Sequence, residues 1–173
     1  MNLIDEKVKT NLWRYLFQCF LATVTISAVL LFLNVLTETA IIAALGASAF
    51  IVFTMPLTYS SDFRRLIGGY IVGITIGVFF SLLSNLNIII LNFSNSLYQF
   101  VIYGSLAVGF SIFIMTLTNT EHAPAAGISL GLVINSWDYS TIIFIVIAII
   151  WMAGIRKILK SSLMNLSSPN ITK

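Results

Sequence analysis

The residues of this 173-residue chain best suited to chemistry gather between Thr116 and Gly127, where the sequence runs Thr-Leu-Thr-Asn-Thr-Glu-His-Ala-Pro-Ala-Ala-Gly. The stretch holds the only histidine, one of six acidic residues and one of three prolines. Imidazole changes charge near neutrality, so His122 beside Glu121 would shuttle a proton or alter the charge of a gate. The plain alternative makes both residues solvated members of a short interfacial loop. Other chemistries lack parts. A metal centre needs further His or thiolate ligands, and Cys19 is the lone cysteine, expected to pack inside the first apolar run. Nucleophilic catalysis would have one imidazole base and no Gly-x-Ser-x-Gly elbow. Neither an enzyme nor a resident cofactor is expected.

Composition sets the elements that must position this stretch. The chain is 58% hydrophobic and 9% charged, with a mean hydropathy of +1.00. A soluble domain carries about 25% charged residues, so an all-α integral membrane protein is expected, with residues 1–173 forming a single transmembrane domain. The net charge of +3 is no nucleic-acid footprint, because the cations flank apolar spans instead of forming one basic face.

A membrane helix needs about 20 apolar residues. Six segments are expected, at 12–34, 39–55, 64–84, 98–118, 123–136 and 140–160. The first exceeds a signal-peptide core and is expected to be retained. The fifth reaches only about 21 Å at 1.5 Å per residue, against a hydrocarbon core of roughly 30 Å. It is expected to cross as a short or broken helix, with a re-entrant segment as the alternative.

Charge placement sets orientation. Lys7, Lys9 and Arg14 precede the first segment, Arg64 and Arg65 separate the second and third, and Arg156, Lys157 and Lys160 close the sixth. The loops 34–38, 85–97 and 136–139 lack Lys and Arg. Six crossings place all these cations in the cytoplasm, with both termini, as the positive-inside rule requires. A bacterial inner membrane is the expected location. Glu121 and His122 then lie on the cytoplasmic side and Glu38 on the other. Arg64 and Arg65 would mark the cytoplasmic face and meet lipid phosphates, with Asp62 paired to one of them. Trp13, Tyr15, Trp137 and Tyr139 suit interfacial anchors, and Trp151 lies deeper.

Two segments open alike. Thr37-Glu-Thr-Ala-Ile-Ile-Ala43 overlays Thr120-Glu-His-Ala-Pro-Ala-Ala126 at an offset of 83 residues, and both then become rich in Gly, Ala and Ser. Each lies at the centre of a three-span half, and an odd span count inverts one half against the other. A 3+3 inverted repeat with short second and fifth segments is therefore expected, a pattern that points to a midplane site. The alternative is two ordinary packing helices. Gly69, Gly73 and Gly77, with Gly104 and Gly109, suit close helix packing more than pore lining.

Pro124 fits a first helical turn, with Asn119 or Thr120 expected to cap it, as Thr37 would cap the second segment. Free N–H groups at such a helix start can hold an anion. Glu38 and Glu121, being anions in the first turns, compete for that field. Ser48, Ser111, Thr116, Thr118, Ser129 and Asn135 are the polar candidates to line a path, Ser48 and Ser129 foremost.

Three blocks in order resemble the HPP family of small integral membrane proteins: Leu45-Gly-Ala-Ser-Ala-Phe-Ile-Val-Phe53, Arg64-Arg-Leu-Ile-Gly-Gly69 and Leu117-Thr-Asn-Thr-Glu-His-Ala-Pro-Ala125. The likeness runs from about residue 12 to 160. The family's His-Pro-Pro is His122-Ala123-Pro124 here, Phe63-Arg64-Arg65 stands for its usual Pro-Arg-Asn, and Tyr70 occupies a place where His is common. Members from photosynthetic organisms are associated with nitrite transport, and some bacterial members carry a CBS pair, for which this chain is too short. The resemblance implies a membrane transporter or channel, with nitrite or a similar small monovalent anion foremost, and His122 with Glu121 would gate it or couple it to protons. The expected site joins Gly46, Ala47 and Ser48 to Ala125, Ala126, Gly127 and Ser129, gated by Glu121 and His122. The expected partners are a small inorganic anion, the bilayer and further copies of the chain, without nucleic acid. The alternative is a non-transporting module that assembles through its glycine faces with a partner protein.

Overall fold

In a bilayer every backbone polar group needs an internal partner, and an apolar chain meets that demand by winding into helices. The computed structural model describes residues 6–32, 38–85 and 96–166, and all regular structure among them is helical. The helices are α1 (Glu6–Phe32), α2 (Thr39–Thr54), α3 (Phe63–Asn85), α4 (Ser96–Thr118), α5 (Ala123–Ile134) and α6 (Tyr139–Leu159), with a 3₁₀ turn at Tyr59–Ser61. Helices α1, α3, α4 and α6 are long and apolar enough to cross a membrane, whereas α2 and α5 are shorter apolar helices. The protein is an all-α integral membrane protein.

The helix limits follow local chemistry. Helix α2 stops ahead of Met55-Pro56, where the residue before a proline avoids the helical region. Pro124 sits in the first turn of α5. Asp138 caps α6, its carboxylate accepting the Thr141 N–H at 2.8 Å. Helix α1 begins earlier than hydropathy suggests and bends at Asn11 (φ −131°). Thr37, the expected cap of α2, lies outside the described residues, as does most of the cation-free loops 34–38 and 85–97.

The shortest helix is the innermost. Helix α5 is wedged between α2 and α3, with α4 along a third side. Glycines make the approach possible. A methyl group at Gly77 would stand 2.8 Å from Ser129 Cα, and one at Gly73 would collide with the Ala125 carbonyl oxygen. On α4 a methyl at Gly104 would meet Leu130 Cδ1 at 2.8 Å, and on α5 one at Gly131 would meet Ile41 Cγ1 at 2.8 Å. The stripe Gly69, Gly73, Gly77 is thus consumed by packing within the chain. Around it Ile41, Leu45, Phe53, Leu66, Ile128, Leu132 and Met152 are fully buried.

Apolar side chains also cover the outside, as lipid contact requires: Phe20 on α1, Phe113 on α4 and Trp151 on α6 are exposed. Cys19 is exposed as well. It lies on the outward side of α1, not in the packing core expected for it.

Residues 163–166 form a strap over one end of the bundle. Gln18, fully buried on α1, donates to the carbonyls of Phe53 at 2.6 Å and Met164 at 2.9 Å. The Tyr15 hydroxyl donates to the Leu166 carbonyl at 2.7 Å. Leu166 N–H reaches the Thr54 carbonyl at 2.7 Å, and Leu57 N–H reaches Asn165 Oδ1 at 2.9 Å. At the same end Arg156 Nε donates to the Pro56 carbonyl, and its guanidinium lies 4.0 Å from Asp62. The side-chain partner of Asp62 is therefore Arg156, not Arg64 or Arg65. Toward Arg64 it accepts only the backbone N–H, at 3.3 Å.

Candidate functional site

The connector between α4 and α5 decides where the reactive side chains point. Asn119 adopts a left-handed conformation (φ 55°), which asparagine tolerates better than most residues. Thr120 N–H then closes α4 on the Met115 carbonyl at 2.9 Å. His122 is extended and is the residue that precedes the helix, with no side-chain cap. The expected caps do other work: Thr120 shares a hydrogen bond with Thr118, and Asn119 Oδ1 accepts from Tyr59 and Arg65. With no capping duty, the imidazole turns into the bundle. Gly69 leaves room for it, since a methyl there would stand 2.8 Å from His122 Cβ.

Inside, His122 Nδ1 lies 3.0 Å from the Ser60 carbonyl and Nε2 2.8 Å from Ser48 Oγ. Ser48 Oγ is in turn 2.6 Å from the Tyr70 hydroxyl. Ser48, Tyr70 and His122 are each at most 1% exposed, so these bonds form without water. Their directions follow from donor chemistry. The Ser60 carbonyl only accepts, so Nδ1 carries a hydrogen. In neutral imidazole Nε2 accepts from Ser48, and Tyr70 donates to Ser48. In imidazolium Nε2 donates to Ser48, Ser48 donates to Tyr70, and Tyr70 turns to the Ala44 carbonyl, 3.4 Å away. Both charge states leave every link of the chain paired. The arrangement can carry or sense a proton by reversing a row of hydrogen bonds.

Sequence reasoning found two of these three residues. Tyr70, which enters the sequence reading only as a replacement at a place where His is common, completes the row with its hydroxyl. The signal lay in its place directly after Gly68-Gly69, at a position where the resembling family carries a side chain with polar ring atoms.

The other expected lining residues do not converge. Gly46 faces Ile26 on α1, 3.8 Å from a methyl built there, and Ala47 is exposed. Ala125 packs under Gly69 and Gly73, Ala126 is buried, and Gly127 meets Ala44 on α2. Ser129 turns its hydroxyl back onto the Ala126 carbonyl at 2.7 Å and presents its backbone to Gly77. Ser48 and Ser129 are thus not joint walls of one path. Thr116 and Thr118 bond back to the Ile112 and Ile114 carbonyls, and Ser111 is buried.

Beside the connector, Arg65 departs from expectation. Its side chain is only 8% exposed. It stacks on the Tyr59 ring, donates from Nη2 to Asn119 Oδ1 at 2.6 Å and holds Nε 3.5 Å from Glu121 Oε2. Arg65 therefore points into the protein and does not meet lipid phosphates, while Arg64 stays exposed and donates to the Thr118 carbonyl. Glu38 is buried beyond the other end of α5, where it accepts from the Thr141 hydroxyl at 2.7 Å. Near that end Ser81, Asn85, Phe100, Asn135, Ser136 and Trp137 line a cavity of about 420 Å³.

A family model described as "HPP, transmembrane region" matches residues 7–167. No curated protein and no solved structure matches the chain.

Proposed function

The chain belongs to the HPP family of transmembrane proteins, and from that footing we propose that it is a transporter or channel for a small monovalent anion, nitrite foremost, coupled to protons through His122. The observation that carries this reading is the buried row His122–Ser48–Tyr70 at the start of a short, central helix. Irregular backbone at membrane depth is tolerated where protein buries it or where it lines a path, and short helices that start inside a bundle are a feature of transporter sites. The Asn119–His122 connector leads from the basic end of the bundle to the row, and the 420 Å³ cavity lies near the far end of α5. Nitrite enters by family resemblance. A proton moving with it would make the transfer electrically neutral.

The antiparallel fit of α2 on α5, which sets Ile41 against Gly131 and Ser48 against His122, favours the inverted repeat. The basic residues Arg64, Arg65 and Arg156 around one end favour that end as the cytoplasmic one, and a bacterial inner membrane as the location. Assembly of copies would have to use outward surfaces such as α4 around Gly109, where a methyl group would meet nothing within 4 Å. The α3 glycine face that suggested a purely assembling module is already taken by α5.

The test is anion uptake by proteoliposomes loaded with a pH-sensitive dye, comparing nitrite, nitrate, formate and chloride. Protein-free vesicles set the baseline, because nitrous acid crosses lipid unaided. Saturable nitrite uptake above that baseline, reduced in His122→Ala, is expected. Unchanged uptake in that variant would remove the row from the mechanism. No flux of any anion from folded protein would remove transport itself.

A further inference from the structure

We infer that Arg65 is an anion-recognising cation, and that Glu121 occupies its site as a tethered stand-in for a planar anion with two oxygens. The inference rests on the anion-transport reading and names the substrate class at its entrance.

Guanidinium carries five N–H donors, and burying it is costly unless those donors and the charge are matched. Arg65 is matched incompletely. Nη2 has the Asn119 amide oxygen at 2.6 Å. Nε and Glu121 Oε2 face each other across 3.5 Å, and both atoms are buried without completing a hydrogen bond. Nε and Nη2 share one edge of the fork, the edge that takes both oxygens of a carboxylate in parallel. Here two side chains supply one oxygen each, and the charged oxygen is the poorly seated one. The Tyr59 ring covers a face of the guanidinium, which leaves approach in the plane. The other nearby charges are accounted for: Arg64 holds the Thr118 carbonyl, and Asp62 lies beside Arg156.

A better occupant is a planar monoanion with two oxygens on one atom, such as nitrite or formate. It could engage Nε and Nη2 in parallel, taking the place of the Asn119 amide oxygen on Nη2 and of Glu121, whose side chain is 43% exposed, on Nε. Chloride, a single sphere, cannot span the edge. The site also touches the buried row, because Glu121 adjoins His122 and Arg65 lies one helical turn before Gly69, against which His122 packs. An anion that displaces Glu121 thereby loosens the connector that aims the imidazole.

The experiment is calorimetric titration of purified, lipid-free protein in uncharged detergent with sodium formate, nitrite or chloride at constant ionic strength. Wild type, Glu121→Gln and Arg65→Lys are compared. Formate and nitrite should bind at least about fivefold more tightly than chloride, as a bidentate charged pair outweighs a point contact. Glu121→Gln should tighten formate binding about fivefold by removing a partly exposed competing charge. Arg65→Lys should lose the preference over chloride. Equal binding of formate and chloride by wild type, or an unchanged formate affinity in Glu121→Gln, would overturn the assignment. If Arg65→Lys does not fold, the Glu121→Gln comparison decides alone. Binding as expected without vesicle flux would leave the Arg65 site standing and remove transport. Flux without the Glu121→Gln effect would do the reverse.

Discussion

Gly73→Ala tests the packing that places the whole site. A methyl group there would overlap the Ala125 carbonyl oxygen and lie 3.1 Å from the carbonyl carbon. Carbon atoms attract at separations of about 3.5–4.0 Å, and the obstacle is helix backbone, which cannot rotate aside as a side chain would. Helices α3 and α5 must part, and overpacking of this kind costs roughly 1–3 kcal/mol. Alanine regains about 1 kcal/mol over glycine in helix preference. Because the obstacle is backbone, the cost lies in the upper part of that range, about 2–3 kcal/mol, and a net loss of about 1–2 kcal/mol is expected. Gly109→Ala supplies the control: nothing lies within 4 Å of a methyl there, so only the helix preference remains and stability should hold or rise by up to about 1 kcal/mol. Reversible unfolding in mixed micelles, followed by circular dichroism, measures both. Equal stability of Gly73→Ala and wild type, or an equal loss in Gly109→Ala, would refute the claim that this stripe exists to seat α5.

Three further outcomes are expected. Ser48→Ala strands His122 Nε2 and leaves the Tyr70 hydroxyl only the distant Ala44 carbonyl, and should cost about 2 kcal/mol, whereas Tyr70→Phe removes one partner cleanly and should cost about 1; unfolding midpoints of the two variants give the order. Gln18→Leu removes the amide that grips the carbonyls of Phe53 and Met164, so the segment 163–166 should be cut faster in limited proteolysis, while an unchanged rate would mean the strap holds without it. The Asp138 carboxyl is held below its ordinary value of 3.8, first by the Ser140 hydroxyl and then by the Thr141 N–H. A depressed carboxyl stabilises the fold above that ordinary value and loses its contribution as pH falls through the lower folded one. Acidifying below pH 4 should therefore lower the wild-type midpoint more than that of Asp138→Asn, which keeps a good cap but cannot protonate; parallel pH curves would count against it.

Much of the fold was legible because lipid leaves so few choices. Apolar runs had to become helices, and the distance from Pro124 to the polar Asn135-Ser136 pair fixed α5 as a short one. Rotation about each helix axis was harder to read. Ser129 looks like a partner for Ser48 along the sequence, yet its position in the turn sets it against Gly77. Beside Arg64 and Asp62 in a polar connector, Arg65 looks like a surface cation. Its spacing held a better clue: positions 65, 69, 73 and 77 follow one another every four residues, so Arg65 begins the same inward stripe as the glycines. The contact of Ser48 with His122, 74 positions apart, depends on α2 lying against α5, which local pattern does not encode. The internal likeness also ends early. At the offset of 83, Gly69, Gly73 and Gly77 correspond to Met152, Arg156 and Lys160, and α6 has no stripe with which to embrace α2 as α3 embraces α5.

The strap bears on how the molecule comes into being. Helix α1 leaves the ribosome before the other five helices, yet Gln18 and Tyr15 find partners at residues 164 and 166, beyond α6. Until then a buried amide waits in the membrane half-satisfied, and the loop carrying Ser60, the acceptor for His122, is held by one anchor fewer. The end of the bundle that holds the His122 row is therefore fastened only after α6 has been made, so a chain cut before residue 163 would keep its six helices and lose these anchors.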